Sequence, residues 1–276
     1  MTQMFGLDAY APAEIAARVA DVGVKKAGLP LLSMAMLGVL GGAFIALGAL
    51  YFSLVASDAT LGYAARQILG GTVFSLGLIL VVVAGAELFT GNNLLVMAWV
   101  ERAITTRALL RNWIIVYFAN AVGAFGVAAL AWLAHIGELN QHAVAIQVVK
   151  IAAAKTALPF WQAFFEGMLC NTLVCLAIWL AMAGRSVTDK VIAIVFPISA
   201  FVAAGFEHSV ANFYFIALGM MYKSQVLALS PAIDTESLDG LGLLGNLLPV
   251  TLGNIIGGSV MVAMVYHVIY RRKQVQ

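Results

Sequence analysis

Six long apolar segments dominate this sequence. Each reaches the ~20 apolar residues that a helix needs to cross the hydrocarbon core of a bilayer. Only 10% of the residues are charged, against about 25% in soluble domains. The sequence therefore predicts an all-α membrane protein with six membrane-spanning helices, at about residues 31–56, 68–98, 111–134, 161–183, 190–221 and 246–270.

The basic residues predict how these spans are oriented. Residues 1–29 are predicted to form an amphipathic helix at the membrane interface, 30–272 the six-span domain, and 273–276 a short tail. Eleven Lys and Arg residues fall in the N-terminal segment, the second and fourth connections and the tail, and four on the opposite side. Because basic residues are retained on the cytoplasmic side, we expect both termini there.

An internal repeat relates the two halves of the chain. Ala84-Gly85-x-Glu87, followed by Asn92, recurs 120 residues later as Ala204-Gly205-x-Glu207, followed by Asn212. A second set recurs 134 residues later: Asn112, Val116, Asn120 and Gly123 as Asn246, Val250, Asn254 and Gly257. The repeats cover about residues 30–134 and 160–272, with three spans each. Three is odd, so the halves run in opposite directions, an arrangement typical of transporters.

Polar residues interrupt the second and fifth segments, in GAELFTGNN (85–93) and GFEHSVAN (205–212). A carboxylate at the bilayer centre costs at least ~2.5–3.5 kcal/mol, so Glu87 and Glu207 must be buried in protein. We interpret them as structural groups that accept hydrogen bonds from backbone amides freed by a break in each helix. Asn92 and Asn212 are interpreted as caps of the half-helices that follow. Two half-helix N-termini at the centre favour an anion there.

Four further polar residues are candidates for contact with a solute. His208 is the only histidine expected at mid-membrane, where it can donate as a neutral ring or carry a proton. Thr90 is the hydroxyl residue in the facing break. Lys155 either attracts anions on the outer side or is a solvated loop lysine. Asn171 hydrogen-bonds either to a break or to a neighbouring helix.

Apolar residues flank the breaks, and sequence alone does not decide whether they face lipid or a pore: Phe74, Leu78, Leu88, Val174 and Phe201.

Several functional classes do not fit this sequence. A net charge of +2 is too small for nucleic-acid binding. Cys170 and Cys175 predict neither a disulfide framework nor a metal site. His208 and His267 lie at different depths, which argues against paired haem ligands. Glu207-His208 is no protease motif, and no aspartate falls inside a span.

Five stretches together resemble the formate/nitrite transporter family: GAELFTGN (85–92), NWIIVYFANAVGA (112–124), LCNTLVCLAIWLAMAGRSVTDK (169–190), GFEHSVANFYFI (205–216) and NLLPVTLGNIIGG (246–258). The resemblance implies an aquaporin-like protomer with its second and fifth helices broken, assembled as a pentamer with one pore per protomer in a bacterial inner membrane. It implies no enzyme activity and no cofactor. The implied substrates are small weak-acid anions: formate, nitrite, hydrosulfide, sometimes acetate or lactate.

The resemblance also implies roles for individual residues. His208 matches the family's pore histidine, Thr90 its first-loop threonine, Lys155 its vestibule lysine, and Asn171 its helix-four asparagine. Asn254 matches an asparagine that supports the loops. The apolar constrictions fall on the five flanking residues named above. The stretch through residues 185–209 is closer to formate-associated relatives, so formate is preferred over nitrite and hydrosulfide.

Two mechanisms remain open at this point. In one, a proton supplied through or near His208 neutralises the anion, which then crosses as an uncharged acid. In the other, neutral His208 donates a hydrogen bond and the anion crosses charged. The first would exclude chloride and nitrate, which are not protonated at accessible pH.

Overall fold

The computed structural model describes residues 9–272, and all regular secondary structure in this range is helical. The first eight residues of the predicted interfacial segment (1–8) and the whole predicted tail (273–276) lie outside the described residues. The α-helices, joined in places by short π- or 3₁₀-helical turns, are α1 Pro12–Ala27, α2 Leu31–Ala56, α3 Tyr63–Ile79, α4 Val96–Val100, α5 Thr106–Leu133, α6 Ala143–Thr156, α7 Phe160–Ala183, α8 Val187–Ala203, α9 Ser209–Leu229, α10 Gly240–Ile255 and α11 Val265–Tyr270.

Several of these helices are long and apolar enough to cross a membrane. Five stretches meet that criterion by length and composition: Leu31–Ala56, Tyr63–Gly85, Thr106–Leu133, Phe160–Ala183 and Gly240–Tyr270. The fifth predicted segment is divided between α8 and α9. The prediction of an all-helical protein with several apolar helices is therefore confirmed.

The connection before α7 differs from the prediction. One of the two interpretations of Lys155 placed it in a loop, but it lies in the last turn of α6. Val144, Val148 and Ala152 recur every fourth residue and are fully or almost fully buried, and α6 packs mainly against α9. Fourteen residues are too few to span a bilayer, so hydropathy alone did not reveal this helix.

Both predicted breaks are present. The helix that begins with α3 continues as a π-helical turn to Gly85, and a short 3₁₀ helix starts at Gly91. The second break separates α8 from α9. Gly85 has φ +90° and Gly205 has φ +75°. Glycine adopts this left-handed conformation without the steric penalty of a Cβ atom.

The same hydrogen bond closes the helix at each break. The Ala86 N–H donates to the Val81 carbonyl and the Phe206 N–H to the Phe201 carbonyl, both at 3.0 Å. These are the six-to-one bonds of a Schellman helix end. Each helix therefore stops at a defined glycine instead of fraying inside the membrane.

Glycines let the helices around the breaks approach closely. A Cβ atom on Gly42 of α2 would overlap the backbone carbonyl of Asn120 on α5. A Cβ atom on Gly257 would likewise overlap the Met168 carbonyl of α7. Small residues at such crossings are typical of packed membrane helices.

We predict that Gly42→Ala destabilises the protein, because the new methyl group forces α2 away from the Asn120 backbone. The expected loss is about 1–3 kcal/mol, as for overpacked sites. Gly126→Ala is the matched control, since a Cβ atom there meets open space within α5. Thermal unfolding in detergent should lower the midpoint for Gly42→Ala only; equal midpoints for the two variants would contradict this packing.

Candidate functional site

An ion pair with a buried carboxylate and a partly exposed lysine lies at the first break. The Lys26 Nζ atom is 2.9 Å from Glu87 Oε1 and donates to Asn92 Oδ1 at 2.9 Å. The Asn92 amide donates to Glu87 Oε2 at 2.6 Å and to Asn112 Oδ1 at 2.8 Å. The Glu87 side chain is only 5% exposed. Its charge is therefore balanced by one cation and by hydrogen bonds from side-chain amides.

A second cluster at the other break has the same composition. The Lys155 Nζ atom donates to Glu207 Oε1 at 2.6 Å, and the Asn212 amide to Glu207 Oε2 at 2.6 Å. Asn212 also donates to Asn246 Oδ1 at 2.7 Å, and the Asn246 amide to the Lys155 carbonyl at 2.8 Å. The Lys155 side chain is 14% exposed, so the interpretation as a solvated loop lysine is wrong.

One asparagine holds each break from the side of a neighbouring helix. In the first, the Asn120 amide donates to the Glu87 carbonyl at 2.8 Å, and its Oδ1 accepts from the Phe89 N–H at 2.9 Å. In the second, the Asn254 amide donates to the Glu207 carbonyl at 3.0 Å. Asn254 Oδ1 also accepts from the Ser209 N–H at 3.0 Å. These bonds satisfy backbone groups that an interrupted helix leaves unpaired.

Two details of the predicted breaks need correction. Within the described residues, the Glu87 and Glu207 carboxylates accept from lysine and asparagine side chains, not from the freed backbone amides. Asn92 and Asn212 are not helix caps, because among residues 9–272 Asn92 Oδ1 accepts from Lys26 Nζ and Asn212 Oδ1 accepts from no backbone N–H. The cap of α9 is His208, whose Nδ1 accepts from the Ala211 N–H at 3.1 Å.

His208 and Thr90, one from each break, meet at the centre. Thr90 Oγ1 lies 3.0 Å from His208 Nε2, and both residues are buried. Because His208 Nδ1 accepts the Ala211 amide, a neutral ring carries its proton on Nε2. The ring therefore donates to Thr90 Oγ1, which leaves the threonine O–H proton free to donate elsewhere.

Asn171 of α7 connects this centre to its surroundings. Its amide group lies within hydrogen-bond distance of the Thr90 carbonyl (3.2 Å), Asn93 Oδ1 (3.1 Å) and the Asn254 carbonyl (2.7 Å). It lines neither of the two large cavities described next.

Two cavities approach the centre from different sides, and each contains one of the lysines. The Lys155 cavity has a volume of about 360 Å³ and is lined by His208, Phe74 and Phe201 among others. The Lys26 cavity has a volume of about 540 Å³ and is lined by Leu88 among others.

Aromatic rings narrow the inner end of the Lys155 cavity. The Phe74 and Phe201 rings meet edge to face with centroids 5.6 Å apart, and Phe201 stacks on the His208 ring at 5.9 Å. Leu78 and Val174, the other predicted constriction residues, are buried but line neither cavity.

Lys26 is the residue that sequence reasoning missed, because it was counted only as a basic residue setting orientation. A signal was present: Lys26-Ala-Gly-Leu-Pro30 resembles Lys155-Thr-Ala-Leu-Pro159. This similarity at an offset of 129 would have assigned Lys26 as the counterpart of Lys155.

We predict that Lys26→Leu destabilises the fold by about 3–5 kcal/mol, because it leaves the Glu87 carboxylate buried without a cation. The double variant Lys26→Leu/Glu87→Gln should recover most of that loss. Lys25→Leu is the control, since Lys25 lines the same cavity but forms no ion pair among residues 9–272. Chemical or thermal unfolding measures all three; equal losses at Lys25 and Lys26 would contradict the pairing.

Known proteins resemble this chain over nearly its full length. The model of the formate/nitrite transporter family matches residues 13–268. The formate channel FocA of Escherichia coli strain K12 is 37% identical over 277 residues, which cover 96% of each chain.

Two solved structures share the fold. A structure titled "Pentameric formate channel with formate bound" is 32% identical with a TM-score of 0.78, covering 87% of this chain and 97% of its own. An "FNT family ion channel" is 31% identical with a TM-score of 0.81, covering 93% and 98%. With its apolar helices and these similarities, the chain is a multi-pass membrane protein that belongs to the formate/nitrite transporter family.

Proposed function

We propose that this chain is a transporter, not an enzyme, and that it conducts small weak-acid anions, with formate as its main substrate. The observation that carries this proposal is the Thr90–His208 hydrogen bond. It joins the two breaks: His208 lines the Lys155 cavity, and Leu88 and Gly91, which lie on either side of Thr90 along the chain, line the Lys26 cavity. The names of the relatives, a formate channel and a formate-bound channel, support formate.

The protomer is proposed to contain six spans in two inverted repeats, at about residues 30–134 and 160–272. The two Lys–Glu–Asn–Asn clusters support this, because in both halves the lysine pairs with the glutamate, and the first asparagine donates to that glutamate and to the second asparagine. Tyr117 and Thr251, which occupy equivalent positions 134 residues apart, share a hydrogen bond of 2.9 Å. Such a bond between equivalent residues is expected on a pseudo-two-fold axis. The correspondence also includes α1 and α6, which precede the two repeats and carry Lys26 and Lys155.

The assembly is proposed to be a homopentamer in a bacterial inner membrane, with both termini in the cytoplasm and α1 at the membrane interface. The solved formate channel with the same fold, which is described as pentameric, supports the assembly. The excess of basic residues on the side of the termini supports the orientation. The Lys155 cavity then opens to the outside, and the Lys26 cavity to the cytoplasm.

Both lysines help an anion to enter. A cation in a cavity with low-dielectric walls raises the local concentration of anions. The N-terminus of α9 begins at His208 and adds partial positive charge at the centre. Because each lysine is already paired with a glutamate, it attracts the anion into the cavity without binding it tightly.

The centre is then crossed by the uncharged acid. Moving an isolated carboxylate between apolar side chains costs several kcal/mol even after relaxation, and Phe74, Phe201 and Leu88 provide those side chains. A weak acid avoids this cost by taking up a proton, while Thr90 and neutral His208 supply hydrogen bonds. Because the Ala211 amide occupies His208 Nδ1, ring protonation would break the α9 cap. The proton therefore enters with the substrate from water instead of being given by His208.

We predict that formate uptake at a fixed total concentration rises as external pH falls, because the protonated fraction grows. Chloride and nitrate should not be taken up at any accessible pH. Radiolabelled or stopped-flow uptake into proteoliposomes across a pH series, with empty liposomes as control, tests both statements. Faster uptake of nitrite or hydrosulfide than of formate would reassign the substrate, and equal uptake of chloride would refute the weak-acid mechanism.

We also predict that two variants separate the roles of His208. His208→Asn retains an acceptor for the Ala211 amide but loses the Nε2 donor, so it should fold normally and transport about threefold to tenfold more slowly. His208→Gln places an amide donor near Nε2 but loses the cap, which should cost about 1 kcal/mol of stability.

Uptake rates and unfolding midpoints of the two variants provide the comparison. The Gln variant should retain the wild-type pH profile with a rate above that of the Asn variant. A pH-independent rate in the Gln variant would instead show that the imidazole transfers the proton.

A further inference from the structure

The Lys155 cavity contains a second cation that the mechanism above does not use. Arg66 of α3 is half-buried and lines this cavity. Lys155 is paired with Glu207, whereas the Arg66 side chain has no hydrogen-bond or ion-pair partner among residues 9–272. All five N–H donors of its guanidinium are therefore available.

Gln147 of α6 is the second unused donor in this cavity. It is also half-buried and lines the cavity, and its side chain has no hydrogen-bond partner in the described part of the chain. Its amide contributes two more N–H groups from a different helix. The lining thus offers two unpaired polar side chains from two different helices.

Helix geometry separates both residues from the part of the cavity next to the breaks. Arg66 precedes Phe74 by eight residues on α3, and Gln147 precedes Lys155 by eight residues on α6. At 1.5 Å per residue, Arg66 is about 12 Å along α3 from Phe74, and Gln147 is about 12 Å along α6 from Lys155. Arg66 is therefore well removed from the narrowing at Phe74 and Phe201, and Gln147 from the Lys155–Glu207 pair.

We propose that Arg66 and Gln147 form a recognition site in the Lys155 cavity for anions that carry two oxygens on one atom. The inference rests on the proposed function and specifies its selectivity. A planar guanidinium binds a carboxylate or similar oxyanion through two parallel hydrogen bonds. Hydrosulfide has a single acceptor atom and cannot form that pair. The site therefore favours formate and nitrite over hydrosulfide before either reaches Lys155.

Glu166 of α7 acts against this site. Its carboxylate lines the same cavity and accepts from the Gln162 amide at 2.8 Å, but it forms no ion pair with Arg66 within 4.0 Å. A negative charge there repels an arriving anion. Removing it should have the opposite effect to removing Arg66, which provides an internal check.

The test is initial formate and hydrosulfide uptake into right-side-out membrane vesicles, measured over a concentration series at low ionic strength. Arg66→Gln should raise the half-saturation concentration for formate about threefold to tenfold, with the maximal rate unchanged. The increase for hydrosulfide should be smaller. Arg66→Lys should recover hydrosulfide uptake more fully than formate uptake, since an ammonium keeps the charge but not the planar fork.

Three further variants complete the set. Gln147→Leu should raise the half-saturation concentration for formate by a smaller factor than Arg66→Gln does. Glu166→Gln should lower this concentration. Lys150→Gln removes an exposed cation on α6 that does not line the cavity, so it should leave the value unchanged.

An unchanged half-saturation concentration in Arg66→Gln, or an equal increase in Lys150→Gln, would overturn the recognition site while leaving the proposed function intact. A wild-type protein that transports neither anion would instead refute the proposed function itself.

Discussion

A carboxylate buried inside a membrane protein needs a cation and hydrogen-bond donors at the same place. Glu87 and Glu207 meet this requirement in the same way, through a lysine from a preceding short helix and the amide of an asparagine five residues further along the chain. Removing one partner of such a pair leaves an uncompensated charge, which is far more costly than the pair itself is stabilising. The two clusters therefore fix the non-helical segments at the breaks. These segments in turn position Thr90 and His208.

The two breaks are held by matching residues, but the polar residues between them do not match. At the offset of 120 that relates the breaks, His208 corresponds to Leu88, and Thr90 corresponds to Val210. One half thus supplies an imidazole and the other a hydroxyl, and these two groups bond to each other. If the two halves were identical at these positions, each position would carry the same side chain in both halves, either polar in both or apolar in both. The supporting Lys–Glu–Asn–Asn cluster is thus present at both breaks, whereas the Thr90–His208 hydrogen bond is formed by one residue from each.

The sequence predicted the two breaks, the burial of their glutamates and the position of His208 within a break, because a carboxylate or an imidazole within an apolar span must be buried in protein and hydrogen-bonded there. It did not predict the Lys26–Glu87 pair, since 61 residues separate the partners and hydropathy carries no information on pairing. Helix α6 was missed because it is too short to resemble a span. Which side chains line the cavities depends on the rotation of each helix about its axis. The sequence therefore could not show that Phe74 lines a cavity whereas Leu78 does not.

The most direct test of the central claim is an experimental structure determined with formate present. The account predicts density for a three-atom anion or acid between Phe201 and Leu88, within hydrogen-bond distance of Thr90 Oγ1 or His208 Nε2. Density at the centre of an oligomer, with each protomer's own passage empty, would contradict it. So would a continuous helix through residues 85–93 or 205–212.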